Sequence, residues 1–256
     1  MGVVSVSGEC WVLDLDGVVW LADRPIHGSP GAVERARRAG VRILFVTNNS
    51  SMTVVDYLAK LDRMGVPTET EDLVTSAQAA ASLLDRGSTA LSCAGAGVTE
   101  ALAERGVELR EEGPVDTVVV GWHRTFDFAG LNRACQAVWS GARLVATNAD
   151  ATYPTPDGLL PGAGSILASV EFATGKKASV AGKPYPPVVD LLKARAGEIA
   201  LVVGDRLDTD GLLAKRLGVT FGLVLTGVTR EAPAPDPMIT VSASLEEIVA
   251  ARLGGH

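Results

Sequence analysis

The sequence predicts an α/β fold: a core with a doubly wound parallel sheet, and an inserted α/β cap domain. Apolar runs of strand length alternate with helical patterns along the chain, and parallel strands joined by helices produce this alternation. A middle section has its own alternation, and the opening pattern returns from Ala178 onward. We therefore expect a core formed by residues 1–76 and 181–256, and a cap over residues 77–180.

Composition narrows the classes of partner. The net charge of −7 argues against non-specific binding to nucleic acid, which depends on an excess of Lys and Arg, and weakly against binding to an anionic membrane. The N-terminal residues lack the pattern of a secretion signal, and no apolar stretch reaches the length of about 18 residues that a membrane-spanning helix needs. The three cysteines are widely spaced without a metal-binding pattern, which favours reduced thiols. We expect a cytoplasmic protein with neither nucleic acid nor a membrane as partner.

The first part of the chain is predicted to open with a buried strand from Cys10, which ends in Asp14-Leu15-Asp16-Gly17. Ser29-Pro30 is a cap followed by a proline in the first turn, and it predicts a helix that ends at Gly40. The other elements expected here are a short hairpin over 18–27 in which Trp20 packs, a strand over 41–46, and helices over 53–64 and 77–86.

The middle and last parts continue the same alternation. In the middle part we expect strands over 89–93, 117–120 and 143–146, with helices over 98–105, 131–139 and 165–173. Residues 148–164 are rich in Pro, Gly and Asp and predict a functional loop. In the last part we expect strands over 178–181, 199–203, 219–225 and 238–241, with helices over 187–196, 211–217 and 244–252.

Polar side chains follow four of the predicted strands. In open α/β sheets the ligand crevice lies outside the carboxyl ends of the strands, so these side chains should converge. Carboxylates near a lysine suit Mg²⁺ with an anion docked beside it, which is the arrangement for phosphoryl transfer. The four groups are Asp14 with Asp16, Thr47 with Asn48, Lys183, and Asp205 with Asp208 and Asp210.

These four groups resemble the four motifs of the haloacid-dehalogenase superfamily of phosphatases. Their order and spacing are similar to those of the branch with a large cap between the second and third motifs, which includes NagD-like, p-nitrophenylphosphatase-like, phosphoglycolate, glycerol-3-phosphate and pyridoxal phosphatases. The resemblance covers essentially the whole chain. The motifs read Asp14-Leu15-Asp16-Gly17-Val18, Thr47-Asn48-Asn49-Ser50, Gly182-Lys183-Pro184 and Gly204-Asp205-Arg206-Leu207-Asp208-Thr209-Asp210.

The resemblance implies a role for each catalytic residue. Asp14 would be the nucleophile that forms an aspartyl-phosphate. Asp16 would protonate the leaving alcohol and then deprotonate the attacking water, since the proton given in the first step is recovered in the second. Thr47 and the backbone at Asn48 would bind phosphate oxygens, and Lys183 would bridge Asp14 and the phosphate.

The resemblance also implies the metal and substrate contacts. Asp205 would bind Mg²⁺ together with Asp14 and the backbone carbonyl of Asp16, and Asp210 would orient a metal-bound water or a neighbouring group. In the cap, the stretch 148–164 is our candidate for the substrate-facing surface. We expect Asn148 and Asp150 to contact the substrate there, and Asp208 and His123 to lie at the surface.

The resulting hypothesis is a Mg²⁺-dependent phosphatase that acts on a small phosphorylated metabolite. Glycerol phosphate, phosphoglycolate, a nucleoside monophosphate and pyridoxal phosphate are candidate substrates. A phosphomutase with the same chemistry is the alternative enzyme. A receiver-like signalling module also gathers acids, a Thr and a Lys around Mg²⁺, but its usual length is about half that of this chain. Caps in the resembled branch often mediate homodimers, which makes a dimer through the cap an expectation by analogy.

Overall fold

The computed structural model describes residues 6, 8–155 and 158–254. The chain divides into two compact units. The first consists of Met1–Thr47, Leu58–Val74 and Val189–His256, and the second of Asn48–Tyr57 and Thr75–Val188. The predicted cap, 77–180, lies wholly within the second unit. Its assignment as a separate functional domain stays a prediction.

The first unit contains a six-stranded sheet. In order across the sheet the strands are β15 (Ile239–Ser242), β14 (Thr220–Val224), β13 (Ile199–Gly204), β1 (Cys10–Asp14), β4 (Arg42–Thr47) and β5 (Leu73–Thr75). β1 forms parallel pairs with β4 and β13, and β13, β14 and β15 also pair in parallel. The carboxyl ends of these strands therefore share one edge of the sheet.

The inner strands are buried along their length. Every residue of β1 is buried, and so is every residue of β4 after Arg42. Burial on both faces is typical of parallel sheets covered by helices, and it explains the continuous apolar runs in the sequence. A two-stranded hairpin, β2 (Trp20–Leu21) and β3 (Arg24–Pro25), follows β1. The helices of this unit are α1 (Ser29–Arg38), α8 (Leu212–Leu217) and α9 (Leu245–Arg252), with most of α2 (Val54–Arg63) and α7 (Pro186–Ala196).

The second unit is built on its own parallel sheet of five strands. All four strand pairs are parallel, and a separate apolar core includes Val118, Leu144 and Val170. The strands, in order across the sheet, are β12 (Ser179–Val180), β9 (Arg143–Ala146), β8 (Thr117–Val120), β6 (Thr89–Cys93) and β7 (Glu108–Leu109). The helices are α3 (Ser76–Ser82), α4 (Ala96–Arg105), α5 (Phe128–Trp139) and α6 (Ala163–Thr174).

The predicted fold class, an α/β fold built on a parallel sheet, is confirmed, and the differences are local. The expected loop over 148–164 contains an antiparallel hairpin, β10 (Thr152–Thr155) and β11 (Gly158–Pro161); residues 156 and 157 lie outside the described residues. The helix expected over 77–86 corresponds to α3, which is shorter and ends at Ser82. α5 begins three residues earlier than expected, because the Asp127 side chain accepts the Gly130 N–H and caps it. Across the described stretches of chain, the helices are all too short or too polar to cross a bilayer.

Candidate active site

Three buried carboxylates meet at the carboxyl edge of the first unit's sheet. Asp14 is the last residue of β1, Asp205 follows β13, and Asp210 lies in the turn Leu207–Gly211. Asp14, Asp205 and Asp210 are 6%, 2% and 0% exposed, respectively. Each offers a carboxylate oxygen, and these oxygens lie within 4.8 Å of one another. Like charges buried this close together are costly without a cation, and an all-oxygen donor set suits a hard divalent ion.

Thr47 lies at the same edge. The register pairs Asp14 with Val46, so Thr47 follows one position later at the end of β4. It is buried, with 1% of its surface exposed. The structure thus brings Asp14, Thr47, Asp205 and Asp210 together within the first unit, as the rule about strand ends predicts.

A tight turn after β1 places Asp16. The Leu15 carbonyl accepts the N–H groups of Val19 at 2.9 Å and Trp20 at 3.2 Å, and the Gly17 N–H donates to the Trp20 carbonyl at 2.7 Å. Gly17 has a φ of +83°, a conformation that glycine adopts without the penalty other residues meet. The indole N–H of Trp20 donates to Oδ1 of Asp16 at 3.0 Å. The Asp16 carboxyl is therefore held beside the turn, half-buried.

Asp205 is held by a segment that we did not predict. The Val228 N–H donates to Oδ2 of Asp205 at 2.5 Å, and the Thr226 hydroxyl donates to the Gly17 carbonyl at 2.5 Å. A Cβ atom on Gly227 would lie 1.9 Å from Oδ2 of Asp205, and one on Gly17 would lie 2.5 Å from it. Both glycines are therefore required for the backbone to approach this carboxylate.

The signal for that segment was present in the sequence. Residues 226–229 come directly after the strand predicted over 219–225, so they are a fifth strand end at the same edge. Thr226-Gly227-Val228-Thr229 carries no charged group, so it does not stand out as a motif. Their contribution is made by the Val228 N–H, the Thr226 hydroxyl and the missing side chain of Gly227.

Asp210 is packed against the backbone of the Gly204–Arg206 segment. A Cβ atom on Gly204 would lie 2.2 Å from Cγ of Asp210, and the Arg206 N–H donates to Oδ2 of Asp210 at 3.2 Å. Asp208 points away, with 69% of its side chain exposed. It pairs with the Arg206 guanidinium at 3.0 and 3.1 Å, and these bonds lower the pKa of Asp208. The two acids of this motif thus have different surroundings.

A second group of polar residues lies within the second unit, around Asn48. Oδ1 of Asn48 accepts the Lys183 N–H at 2.7 Å, and Nδ2 donates to the Lys183 carbonyl at 3.1 Å. Nδ2 is also 3.1 and 3.2 Å from the two carboxylate oxygens of Asp150. Gly182 permits this approach, because a Cβ atom there would lie 2.5 Å from Oδ1 of Asn48. Asn48 and Lys183 are 8% and 3% exposed.

The cap residues that we expect to contact the substrate take part in this group. Nδ2 of Asn148 donates to the Asn48 carbonyl at 2.6 Å, and its Oδ1 accepts the Asp150 N–H at 3.0 Å. The Ser76 hydroxyl donates to the same Asn48 carbonyl at 2.6 Å. Asn148 and Asp150 therefore have internal partners, and their contact with a substrate stays a prediction. The sequence does not reveal that the Asn48 side chain binds the Lys183 backbone.

His123 lies in the loop between β8 and α5 and is half-buried. Its Nε2 lies 3.9 Å from Sγ of Cys93, and its Nδ1 lies 3.2 Å from the Thr125 hydroxyl. Burial lowers the pKa of His123 and raises the pKa of the Cys93 thiol to about 11. Both groups are then neutral at neutral pH, so this pair does not provide the thiolate that a cysteine nucleophile needs. All three cysteines are free and buried, as we expected.

The fold and the site define a class: an α/β protein whose buried acidic groups gather at the carboxyl edge of a parallel sheet. The chain belongs to the haloacid dehalogenase-like hydrolase family, whose model matches residues 11–108. A second model for HAD-like hydrolases matches residues 180–249. The suspected family membership is therefore confirmed.

Two curated relatives and two solved structures illustrate the similarity. The chain is 42% identical over 240 residues to D-glycerol 3-phosphate phosphatase of Mycobacterium tuberculosis, covering 89% of this chain and 66% of that protein, just under two thirds of its length. It is 34% identical to acid sugar phosphatase of Staphylococcus haemolyticus, covering 86% of each. The structure of the mycobacterial glycerol phosphate phosphatase with magnesium matches with a TM-score of 0.84 and 36% identity, over 94% of this chain and 76% of that one. A p-nitrophenyl phosphatase from Archaeoglobus fulgidus gives a TM-score of 0.86 and 29% identity, over 96% and 99%.

These similarities bear on the remaining predictions. The enzyme class, a hydrolase of phosphoric monoesters, is confirmed by the family and by relatives that are named phosphatases. The cofactor prediction, Mg²⁺, is also confirmed: the buried carboxylates supply the oxygen ligands it prefers, and a related structure contains magnesium. The roles of single residues stay predictions.

Proposed function

We propose that this chain is a Mg²⁺-dependent phosphatase that hydrolyses a small phosphomonoester through an aspartyl-phosphate on Asp14. The observation that supports it most is the cluster of Asp14, Asp205 and Asp210, whose carboxylate oxygens lie within 4.8 Å of one another in a buried site. One of these acids ends a strand and faces the edge where substrates enter α/β sheets. A nucleophilic carboxylate beside a cation site is the arrangement that phosphoryl transfer needs.

In the first step, a carboxylate oxygen of Asp14 attacks phosphorus and the bond from phosphorus to the ester oxygen breaks. Asp16 donates its proton to that ester oxygen, so the alcohol leaves neutral. In the second step Asp16 takes a proton from water, whose oxygen attacks phosphorus while the bond between phosphorus and the Asp14 oxygen breaks, and inorganic phosphate is released. Asp14 is then regenerated, and one carboxyl group has served as acid and then as base.

The metal would be held by Asp14, Asp205 and the backbone carbonyl of Asp16. Mg²⁺ in this position supplies positive charge for the phosphate oxygens. Asp210 is close enough to Asp14 and Asp205 to join them or to orient a bound water. Asp205 is suited to this work because the Val228 N–H already holds one of its oxygens in place.

The remaining predicted residues would bind the phosphate. Thr47 supplies a hydroxyl at the end of β4. Lys183 supplies the positive charge, and its backbone is held on both sides by the amide of Asn48. The backbone at Asn48 is our candidate for a further phosphate contact. These three assignments rest on the resemblance of the motifs, and the hydrogen bonds from Asn48 support the placement of the Lys183 backbone.

The substrate class that we propose is a small phosphorylated metabolite, with glycerol phosphate and sugar phosphates first, because relatives are named for them. Asn148, Asp150 and the hairpin β10–β11 belong to the surface that would select among such esters. We also propose a cytoplasmic enzyme without nucleic-acid or membrane partners, and a homodimer through the cap.

The test is a screen of about a hundred phosphorylated metabolites for release of inorganic phosphate, with Mg²⁺ or with EDTA. Asp14→Asn should abolish release, whereas Asp208→Asn, an exposed acid, should retain it. Transfer of the phosphoryl group to a second hydroxyl of the substrate, with little free phosphate, would favour the phosphomutase instead. Hydrolysis that persists in EDTA would contradict the proposed metal dependence.

A further inference from the structure

One buried cation has no part in the mechanism described above. Lys60, on α2, is only 7% exposed, and a buried ammonium is costly unless it has a partner. Its Nζ lies 4.4 Å from the centroid of the Trp20 ring. It also lies 3.8 Å from Oδ1 of Asp23, but the Asp23 side chain is 98% exposed, and such pairs contribute little. The indole face of Trp20 is therefore the main partner of this charge.

Trp20 connects that charge to the catalytic turn. Its side chain is fully buried, and its N–H donates to Oδ1 of Asp16 at 3.0 Å. Backbone bonds to the Leu15 carbonyl and from Gly17 already close the turn, so this side-chain bond is not needed to form it. The bond acts on the orientation of the Asp16 carboxyl group.

The direction of the bond matters for proton transfer. An indole N–H can only donate, so the oxygen it meets must accept. The carbonyl oxygen of a protonated carboxyl group is a better acceptor than its hydroxyl oxygen. When Asp16 is protonated, the bond from Trp20 therefore favours Oδ1 as the carbonyl oxygen and Oδ2 as the oxygen that carries the proton. A positive charge over the ring face draws electron density from the indole and makes its N–H a stronger donor.

We infer that Trp20 and Lys60 are positioning residues for Asp16, and that they fix which carboxyl oxygen delivers the proton to the leaving alcohol. The inference rests on the proposed function. It assigns no contact with the substrate to either residue. The proton moves from Oδ2 of Asp16 to the ester oxygen as the bond from that oxygen to phosphorus breaks, and misorientation slows this transfer.

Substrates with different leaving groups can distinguish a misoriented Asp16 from a general loss of activity. An alkyl ester such as glycerol 3-phosphate releases a strongly basic alkoxide unless it is protonated. p-Nitrophenyl phosphate releases a stable phenolate that needs little protonation. Because kcat/KM covers the steps up to departure of the leaving group, a fault in proton delivery lowers kcat/KM for the alkyl ester and not for the aryl ester.

The experiment compares Trp20→Phe with Trp11→Phe and with the unaltered protein on both esters. Trp11 is the matched control, because it is also fully buried and its N–H donates to Glu9 at 2.7 Å at the start of the same strand. Trp20→Phe keeps a ring face for Lys60, loses the N–H donor and reduces the size of a buried ring. Trp11→Phe makes the same change in ring size at another buried position and so controls for it. We expect kcat/KM for glycerol 3-phosphate to fall about 10- to 100-fold, on the scale set by small misplacements of reacting groups, with less than threefold change for p-nitrophenyl phosphate.

Lys60 variants give a second line of evidence that does not alter the tryptophan. Lys60→Met removes the charge and keeps an unbranched apolar side chain. We expect it to lower kcat/KM for glycerol 3-phosphate selectively, but less than Trp20→Phe does. Lys60→Arg should restore the ratio of the kcat/KM values for the two esters. An equal fall on both esters for Trp20→Phe or Lys60→Met, matching Trp11→Phe, would overturn the inference. So would an unchanged ratio in folded variants. If the unaltered protein released phosphate from neither these two esters nor any other ester in the metabolite screen, the proposed function itself would fail, and the inference with it.

Discussion

Asn48 and Lys183 form two hydrogen bonds between a side-chain amide and a peptide backbone. Oδ1 of Asn48 accepts the Lys183 N–H at 2.7 Å, and Nδ2 donates to the Lys183 carbonyl at 3.1 Å. The two residues are 135 positions apart in the chain and both are buried. The amide of one motif residue therefore holds the backbone of another, which explains why an asparagine suits position 48 better than a residue with only one polar function.

Replacing Asn48 should destabilise the second unit. Asn48→Ala would leave the buried N–H and carbonyl of Lys183 without these partners, at a cost of about 1–3 kcal/mol for each unsatisfied group. Asn48→Asp would keep an acceptor but lose the donor, and would add a carboxylate beside Asp150. We expect both variants to lower the denaturation midpoint in urea. Asn49→Ala is the control, because the Asn49 side chain bonds locally to Ser51, and a midpoint drop as large as that of Asn48→Ala would contradict the account.

Gly227→Ala should weaken metal binding. The new Cβ atom would lie 1.9 Å from Oδ2 of Asp205, so the carboxylate or the segment that carries Val228 must move. We expect the Mg²⁺ concentration for half-maximal phosphate release to rise at least tenfold. Gly31→Ala is a suitable control because a Cβ atom there meets only the end of the Arg35 side chain, at 3.8 Å. An unchanged Mg²⁺ requirement in Gly227→Ala would show that Asp205 does not need this fixed position.

Magnesium should stabilise the folded chain. A ligand that binds only the folded state adds about 2.7 kcal/mol at a concentration one hundred times its dissociation constant. The three buried carboxylates gain further from relief of their repulsion. We expect Mg²⁺ to raise the melting temperature and EDTA to reverse it. Asp205→Asn should remove most of the shift, whereas a shift that survives in Asp205→Asn but is lost in Asp208→Asn would place the metal elsewhere.

The Cys93 thiol should make stability depend on pH in the alkaline range. Burial raises its pKa from 9.0 to about 11, so the folded state favours the neutral thiol. The stabilisation is complete below pH 9, where the thiol is also protonated in the unfolded chain, and it is lost as the pH rises from 9 to 11. Urea denaturation at several pH values should show this decline, and it should be shallower in Cys93→Ala. An equally steep decline in that variant would assign the effect to other groups.

Much of the fold follows from local sequence patterns. The strand that ends at Asp14 and the helix that begins at Ser29 can be predicted locally. Burial on two faces requires a continuous apolar run, and helix capping favours particular residue types at the first positions. The hairpin β10–β11 does not, since prolines and glycines are more frequent in loops than in strands. β7 is only two residues long, which is too short for a periodic pattern.

The site likewise contains residues that the sequence predicts and residues that it does not. Asp14, Asp205 and Asp210 could be found because charged residues at the ends of apolar strands stand out. The supporting residues could not be found so easily. The contribution of Gly227 is a missing side chain, and that of Asn48 depends on a partner far away in the sequence. Trp20 was expected only to pack in the hairpin, because no sequence pattern reveals that its N–H reaches Asp16.

The central claim, that Asp14 carries the phosphoryl group, is tested most directly by acid quench during turnover. The protein would be mixed with Mg²⁺ and a phosphomonoester that it hydrolyses, quenched in acid, digested, and analysed by mass spectrometry. The account predicts that the peptide containing Asp14 gains the mass of one phosphoryl group, that the label disappears in alkali as acyl phosphates do, and that Asp14→Asn shows none. Turnover with no label on Asp14, or a label on another residue, would contradict it.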